Sequence, residues 1–430
     1  MTEQQAIAYI HSLLRFGVKP GLERIRALCR ALGNPQNRLR CVHIAGTNGK
    51  GSTSTMLAGI LSAAGYQTGL FTSPYVWHFR ERFCLNGEMI HPAALAALTE
   101  EVRAAAERLP ELPTEFEFIT ALALLWYART DCDAAVLEVG LGGRWDATNV
   151  IPPPLLAVIA KISLDHVDLL GHTVAEIAAE KCGILKPGSR AVTCCEQLPE
   201  ALAVIRDTAR RQGVPLEVPA AEEVSLRAAS LSGSDAVLAG LPLRVPLLGE
   251  HMCRNALTAV TAARQLRTQG FDISDEAIVR GIGAARMPAR MEVLSAEPPV
   301  LLDGGHNADG ADALAKVLDD FLSDRPLTVI LGMMRDKDRA AYLGQILPRA
   351  ARLIACTPRN PRALPARELA ALARTIPADP PPEMEAVPDA AKAAALGWKA
   401  LPPQGALLIC GSFYLASELN GWIDAHFPGR

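Results

Sequence analysis

The sequence predicts an α/β protein of two domains. The first is a mostly parallel sheet of the phosphate-loop type with a small antiparallel appendage; the second is a smaller doubly wound α/β domain at the C-terminus. Three observations predict this. Apolar strand-like runs alternate with helical patterns along the 430 residues, the arrangement expected of parallel sheets. One run, Cys41–Ala45, feeds a glycine loop and then a helix rich in Ala, Leu and Met through Gly65. A helical stretch, Ser274–Ala285, stops before Met287-Pro288-Ala289-Arg290, and a new strand pattern begins at Met291. A boundary there gives domains 1–288 and 289–430.

The loop after the first strand is Gly46-Thr47-Asn48-Gly49-Lys50-Gly51-Ser52. A strand, a glycine turn and a helix N-terminus aim several backbone N–H groups at one point, and a lysine there completes a phosphate site. The spacing is a variant of the common phosphate loop, because Gly51 rather than Ser or Thr follows Lys50 and Ile44 stands where a glycine is usual. Taken alone, the loop reads equally well as an ordinary strand–helix turn. Further strands are expected at Ala134–Glu138, Leu155–Lys161, Ala191–Cys194, Leu327–Leu331, Leu353–Cys356 and Ala406–Ile409. Residues 214–248, broken at Pro215, Pro219, Gly233, Gly240 and Pro242, read as the antiparallel appendage. Pro380-Pro381-Pro382 marks a surface loop in the second domain. No internal repeat is seen.

Composition limits the function. Apolar residues make up 50% and charged residues 21%, with a net charge of −3. No basic excess suggests a nucleic-acid partner, and no apolar stretch suggests a membrane span. The N-terminus lacks the pattern of a signal peptide. Ten cysteines without a C-x-x-C pair read as reduced residues of a cytoplasmic protein. Cys194-Cys195 reads as strand-end packing.

Chemistry-bearing residues gather where strands are expected to end. Glu138 closes an apolar strand and can offer a hard oxygen to Mg²⁺, or it can cap the glycine turn that follows. His166 reads as a metal ligand or an orienting group with Asp165 as its partner. Lys181 ends a helix on a largely apolar face, which is unusual for a solvated lysine; a charge complementing the helix dipole is the alternative. Asp303-Gly304-Gly305-His306-Asn307 repeats the theme of strand, acid, glycine turn and histidine, and Asp303 and His306 are expected to face a cleft between the domains. Gly332–Asp338 also follows an apolar strand and puts charges at the same strand ends if that sheet is parallel.

Together these segments resemble folylpolyglutamate synthase/dihydrofolate synthase of the Mur ligase superfamily. The resemblance covers nearly the whole chain. It includes Gly21-Leu22-Glu23-Arg24-Ile25, the glycine loop, Thr72-Ser73-Pro74, Glu81-Arg82 with Asn86-Gly87, and Phe116-Glu117-Phe118. It continues through Glu138–Asn149, Asp165-His166, Glu180–Ile184 and Asp303–Asn307. The family joins L-glutamate to a folate or dihydropteroate carboxylate with ATP, through an acyl phosphate. By resemblance, Thr47, Asn48, Gly49, Lys50, Gly51, Ser52, Asn255, Arg290 and Asp303 bind ATP. Ser73, Glu138 and His166 ligate magnesium, and His306 sits near the reacting phosphate. Lys181 matches the lysine that is carbamylated in the family. Lys19, Pro20, Phe116, Phe118, Arg144, Asp146 and Ala147 are the pterin candidates, with Phe116 open equally to a core role.

The chain departs from the family pattern at three places. Gly305 and Ala308 stand in a Gly-Ala-His-Asn-Pro motif, Ala289 replaces the glycine of Pro-Gly-Arg, and Tyr75 replaces a histidine. The expectation is an ATP-dependent ligase of folate metabolism that acts as a monomer. A Mur-type ligase for another acid and an inactive nucleotide-binding protein are the alternatives. The retained Lys50, Glu138, His166, Lys181, Asp303 and His306 speak against the last.

Overall fold

The computed structural model describes residues 1–17 and 19–428. The chain forms two compact units. One comprises Met1–Ser225, Ala236–Arg244 and Cys253–Ala285; the other comprises Leu226–Asp235, Val245–Met252 and Arg286–Arg430. Two short stretches on the N-terminal side of 288 therefore group with the C-terminal unit.

In the first unit, strands β1 (Cys41–Ala45), β2 (Thr68–Phe71), β3 (Phe83–Leu85), β4 (Glu88–Met89), β5 (Ala134–Glu138), β6 (Leu156–Ile159), β7 (Arg190–Thr193) and β8 (Leu216–Glu217) form one sheet. Its order is β4-β3-β2-β5-β1-β6-β7-β8. All pairings from β2 to β8 are parallel, and β3 and β4 add an antiparallel edge. β1 and β5 are buried at every residue. That explains their unbroken apolar reading, since a strand covered on both faces has no polar side to alternate with. Ile44 pairs with Glu138 on one side and Val158 on the other. The glycine loop, the Gly140–Asn149 segment and the loop after β6 thus leave the same edge of the sheet. Ligands bind at that carboxyl edge in parallel α/β sheets.

The helix Glu115–Arg129 is capped by Thr114, whose hydroxyl accepts from the Glu117 N–H while the Glu117 carboxylate accepts from the Thr114 N–H. It is buried nearly all round, as a helix apolar on every face should be. Phe118 is fully buried in it and meets Tyr9 edge-on at 5.5 Å. The expected pterin contact at Phe118 is corrected accordingly: its ring lies wholly within the core.

Strands β9 (Val224–Ser230), β10 (Gly233–Leu238) and β11 (Leu241–Val245) form a three-stranded sheet in chain order. The antiparallel appendage begins later than residue 214, because Leu216–Glu217 pairs parallel with β7 as the edge of the main sheet. A two-residue strand is too short to show its direction in a sequence.

The second unit holds β12 (Glu292–Ala296), β13 (Pro299–Asp303), β14 (Leu327–Leu331), β15 (Ala350–Ala355), β16 (Glu383–Ala386) and β17 (Ala406–Cys410), ordered β12-β13-β17-β14-β15-β16. Only the β12–β13 pairing is antiparallel. Asp303 and Leu331 both pair with Cys410. Loops 304–307, 332–338 and 411–412 therefore start from one edge, as a parallel sheet requires. No helix among the described residues is long and apolar enough to cross a membrane.

Candidate active site

The glycine loop is fixed from behind by the chain that leaves β6. Thr47 and Asn48 N–H groups donate to the Lys161 carbonyl at 2.8 and 3.1 Å. The Thr47 hydroxyl donates to the Ser163 carbonyl at 3.0 Å and accepts from the Ser163 N–H at 3.1 Å. Gly49 has φ 82°, and a Cβ there would meet the Asn255 side chain. Only glycine takes that backbone without strain and leaves the room. Asn255 Nδ2 donates to Ser52 Oγ at 2.9 Å. The ATP candidates of the first unit, Thr47 to Ser52 and Asn255, are thus one constellation.

Two lysines converge on that loop. Lys50 Nζ donates to the Gly46 and Thr47 carbonyls, each at 3.1 Å. Lys181 Nζ donates to the same Gly46 carbonyl at 2.8 Å. Lys181 is 5% exposed. Burial first, and the Lys50 charge second, bring its pKa down to about 7. A lysine out of water with a second cation nearby disfavours its own charge. The helix-dipole reading of Lys181 does not account for this burial.

Glu138 is 2% exposed, and its Oε2 accepts from the Ser73 N–H at 3.0 Å. Two of the three metal candidates are therefore neighbours. Glu81 shapes the chain that follows Ser73 by accepting from the Val76, Trp77 and His78 N–H groups at 2.8, 2.8 and 2.7 Å. His166 has φ 51° and a half-exposed side chain. Left-handed backbone at a non-glycine residue carries strain of the kind found at functional sites. Asp165 Oδ1 accepts from the His166 backbone N–H at 2.8 Å, while the His166 ring Nε2 stands 3.9 Å away. Asp165 thus holds the turn more closely than the ring.

The Gly140–Asn149 segment is bound down on several sides. Arg144 N–H donates to the Glu180 carbonyl at 2.9 Å. Asn149 Nδ2 donates to the Arg144 and Gly183 carbonyls at 3.0 and 3.2 Å. Asp146 and Ala147 are buried, whereas Arg144 and Trp145 are exposed. Phe116 is partly buried and packs its ring over Gly140 and beside Phe71. Lys19 Nζ donates to Glu111 Oε1 at 2.6 Å, its carbonyl accepts from Arg24 Nη2 at 2.8 Å, and Pro20 is exposed. Arg24 Nε donates to Glu117 Oε2 at 3.2 Å, which ties this stretch to the Phe116 helix.

In the second unit, Asp303 is 4% exposed and accepts from the Met291 N–H at 3.0 Å and the Gly305 N–H at 2.9 Å. Burial raises its pKa, and these donors and Arg290 oppose the rise. His306 Nδ1 donates to the Gly304 carbonyl at 3.1 Å, so the proton sits on Nδ1 in the neutral ring. Sequence reasoning missed Phe413. Its ring lies 4.3 Å from the Arg290 guanidinium and 6.2 Å from the His306 ring, and it leaves no room for a Cβ at Gly304. The signal was available: Gly411-Ser412-Phe413 follows an apolar strand as the other site loops do.

Residues 44–263 match the Mur ligase middle domain, and residues 289–413 match the Mur ligase glutamate ligase domain. The chain belongs to the Mur ligase family. Within that family it is 40% identical over 353 residues to dihydrofolate synthase/folylpolyglutamate synthase of Bacillus subtilis, covering 78% of this chain and 80% of the relative. It is 31% identical to the Escherichia coli protein of that name, over 98% of this chain and 96% of the relative. Among solved structures, Mycobacterium tuberculosis folylpolyglutamate synthase complexed with ADP and AMPPCP superposes with a TM-score of 0.88 at 30% identity, covering 100% and 99% of the two chains. E. coli FolC in complex with DHPP and ADP gives a TM-score of 0.87 at 29% identity, covering 99% and 98%. This Mur ligase is an ATP-dependent ligase of the folylpolyglutamate/dihydrofolate synthase type.

Proposed function

We propose that the enzyme activates the carboxylate of dihydropteroate or a folate with ATP and joins it to L-glutamate. The carboxylate oxygen attacks the γ-phosphorus and ADP leaves. The neutral glutamate amine then attacks the acyl carbon, phosphate leaves with the bonding electrons, and the amine gives up one proton, to the phosphate or to solvent. The observation that carries this reading is the convergence of Lys50 and Lys181 on the Gly46 carbonyl, at the strand edge where Glu138 is buried. Phosphoryl transfer needs charge neutralisation and positioning more than covalent help from the protein, and this edge supplies both.

The roles follow from chemistry. Lys50 and the amides of Gly49 to Ser52 hold the phosphates, while the Asn48 amide braces the loop. Asn255 braces Ser52 and the glycine turn, and Arg290 and Asp303 contribute to nucleotide binding. His306, with its proton on Nδ1, offers Nε2 to the reacting groups. Lys19, Pro20, Phe116, Arg144, Asp146 and Ala147 belong to the acceptor side.

The donor set suits magnesium. Glu138 brings a buried carboxylate oxygen, Ser73 a hydroxyl and His166 a ring nitrogen. Among the described residues no group of three or more His, Cys, Asp and Glu gathers to hold a metal by itself. Magnesium tolerates this, since it keeps waters and leans on substrate phosphates. When bound, the ion would neutralise charge on the nucleotide phosphates.

Lys181 is suited to carbamylation. Its amine is held near neutrality by burial, and a neutral amine adds CO₂ with loss of one proton to give a carbamate whose oxygens suit magnesium. The ten cysteines are reduced thiols, which fits a reducing cytoplasm.

The decisive experiment measures ADP release with ATP, glutamate and each pterin acid in turn. Release that depends on both glutamate and a pterin acid is expected. Release with a different carboxylic acid and none with any pterin would overturn the reading.

A further inference from the structure

A line of hydrogen bonds runs from the middle of β1 into the Gly140–Asn149 segment. His43 is wholly buried on β1, and its Nε2 lies 2.8 Å from Thr148 Oγ1. The Thr148 hydroxyl is also bonded to Asp146 Oδ1. That oxygen accepts from the Thr148 N–H at 3.0 Å, and Asp146 Oδ2 accepts from the Leu141 N–H at 2.9 Å.

The protons in this line can be counted. Each of these Asp146 contacts reaches a carboxylate that acts as acceptor, so the Thr148 hydroxyl gives its one hydrogen to Asp146. The hydroxyl must then accept from the imidazole, and Nε2 carries the ring hydrogen. Nδ1 is left as a bare lone pair, and it has no partner among the described residues. The ring stays neutral, because burial and Lys186 push its pKa down to about 3.

This arrangement costs stability. A buried polar atom without a partner is penalised by its lost hydration, and Cys41 and Ala45, which share the face of His43 on the strand, are buried apolar residues. A polar ring kept at that place at such a cost points to a task for Nε2.

We propose that His43 and Thr148 are positioning residues for the acceptor: by fixing the Asp146 carboxylate they set the shape of the 140–149 segment on which the pterin acid is held. The inference rests on the acceptor-side reading of Asp146. It predicts a selective effect. The glycine loop is secured separately through the Lys161 carbonyl and Ser163, so ATP binding does not depend on the His43–Thr148 link.

The test compares Thr148→Val, Thr148→Ser, His43→Leu, His43→Gln and Asp146→Asn by KM for the pterin acid, KM for ATP and kcat. Thr148→Val removes the hydroxyl at nearly constant shape and should raise the pterin KM about tenfold, the worth of one well-placed buried hydrogen bond. The KM for ATP should stay within about twofold. Thr148→Ser, which keeps the hydroxyl, should recover most of the loss. His43→Gln, with an amide N–H near the place of Nε2, should outperform His43→Leu. An unchanged pterin KM in Thr148→Val, an ATP KM that rises in step, or a serine variant no better than valine would each overturn the proposal. If Asp146→Asn raises the pterin KM while Thr148→Val does not, the His43–Thr148 line alone is refuted. If Asp146→Asn leaves the pterin KM unchanged, the acceptor-side reading fails and takes this inference with it.

Discussion

Lys50 and Lys181 donate to one oxygen, the carbonyl of Gly46, at 3.1 and 2.8 Å. They are far apart in sequence and arrive from different helices, the first at the start of Lys50–Ala63 and the second at the end of Val174–Lys181. Two amines sharing one acceptor cannot both be charged at low cost, and the buried one yields.

Lys50→Ala should keep its fold and lose about a thousandfold or more of its ATP-dependent turnover, the scale seen when a group facing the developing charge is removed. Steady-state rates and circular dichroism on the same sample decide this. A folded variant with near-normal ligation would remove Lys50 from the phosphate site.

The pH dependence of stability reports on Lys181. Its folded pKa, about 7, lies below the ordinary 10.5. Between those values the unfolded chain binds more protons, so the contribution of Lys181 to stability becomes more favourable as pH rises through that window. Below pH 7 the penalty is fully present. Lys181→Met should flatten this part of the curve in thermal melts and should be nearly inactive. A wild-type curve with the same slope as the variant would contradict the depressed pKa. Activity near wild type in Lys181→Met would refute the carbamate role.

Glu138→Ala and His166→Ala should each raise the magnesium concentration needed for half-maximal rate and lower the maximal rate. Magnesium titrations of ADP release provide the measurement. An unchanged magnesium curve for both variants would make these residues structural.

Ala289 sits at φ 50° with its carbonyl accepting from the Gly304 N–H at 2.7 Å. This is the position where the family pattern has glycine. Left-handed backbone costs a residue with a Cβ about 1–2 kcal/mol, part of which glycine returns through its freer unfolded chain. Ala289→Gly should therefore stabilise the protein by about 0.5–1 kcal/mol in denaturant unfolding. A loss of stability would mean that the backbone there is not strained.

Much of the site was legible because strand ends announce themselves. Cys41–Ala45, Ala134–Glu138 and Leu327–Leu331 appear at their expected bounds, since strands buried on both faces leave no doubt of their apolar runs. The loops that follow carry glycine beside charge, and parallel topology gathers them at one edge. The reading erred where a residue type serves two ends. Phe118 belongs to the core although Phe116, two positions away, reaches Gly140. A helix decides such matters by face, and an all-apolar helix does not reveal its faces in sequence. Leu216–Glu217 joined the main sheet because pairing partners, not local pattern, determine a two-residue strand.

By itself the sequence determined the fold class, the glycine loop, the strand-end acids and histidines, and the family. The family rests on the resemblance of its motifs, in order along the chain; the rest depends on period, composition and local turn chemistry, which are properties of neighbouring residues. Tertiary structure alone decided that Lys181 meets Gly46, that Phe413 underlies Arg290, and that His43 reaches Asp146 through Thr148. Those contacts join residues distant in the chain. Their energies come from burial and hydrogen bonding across packed elements, and only the folded arrangement brings the atoms within range.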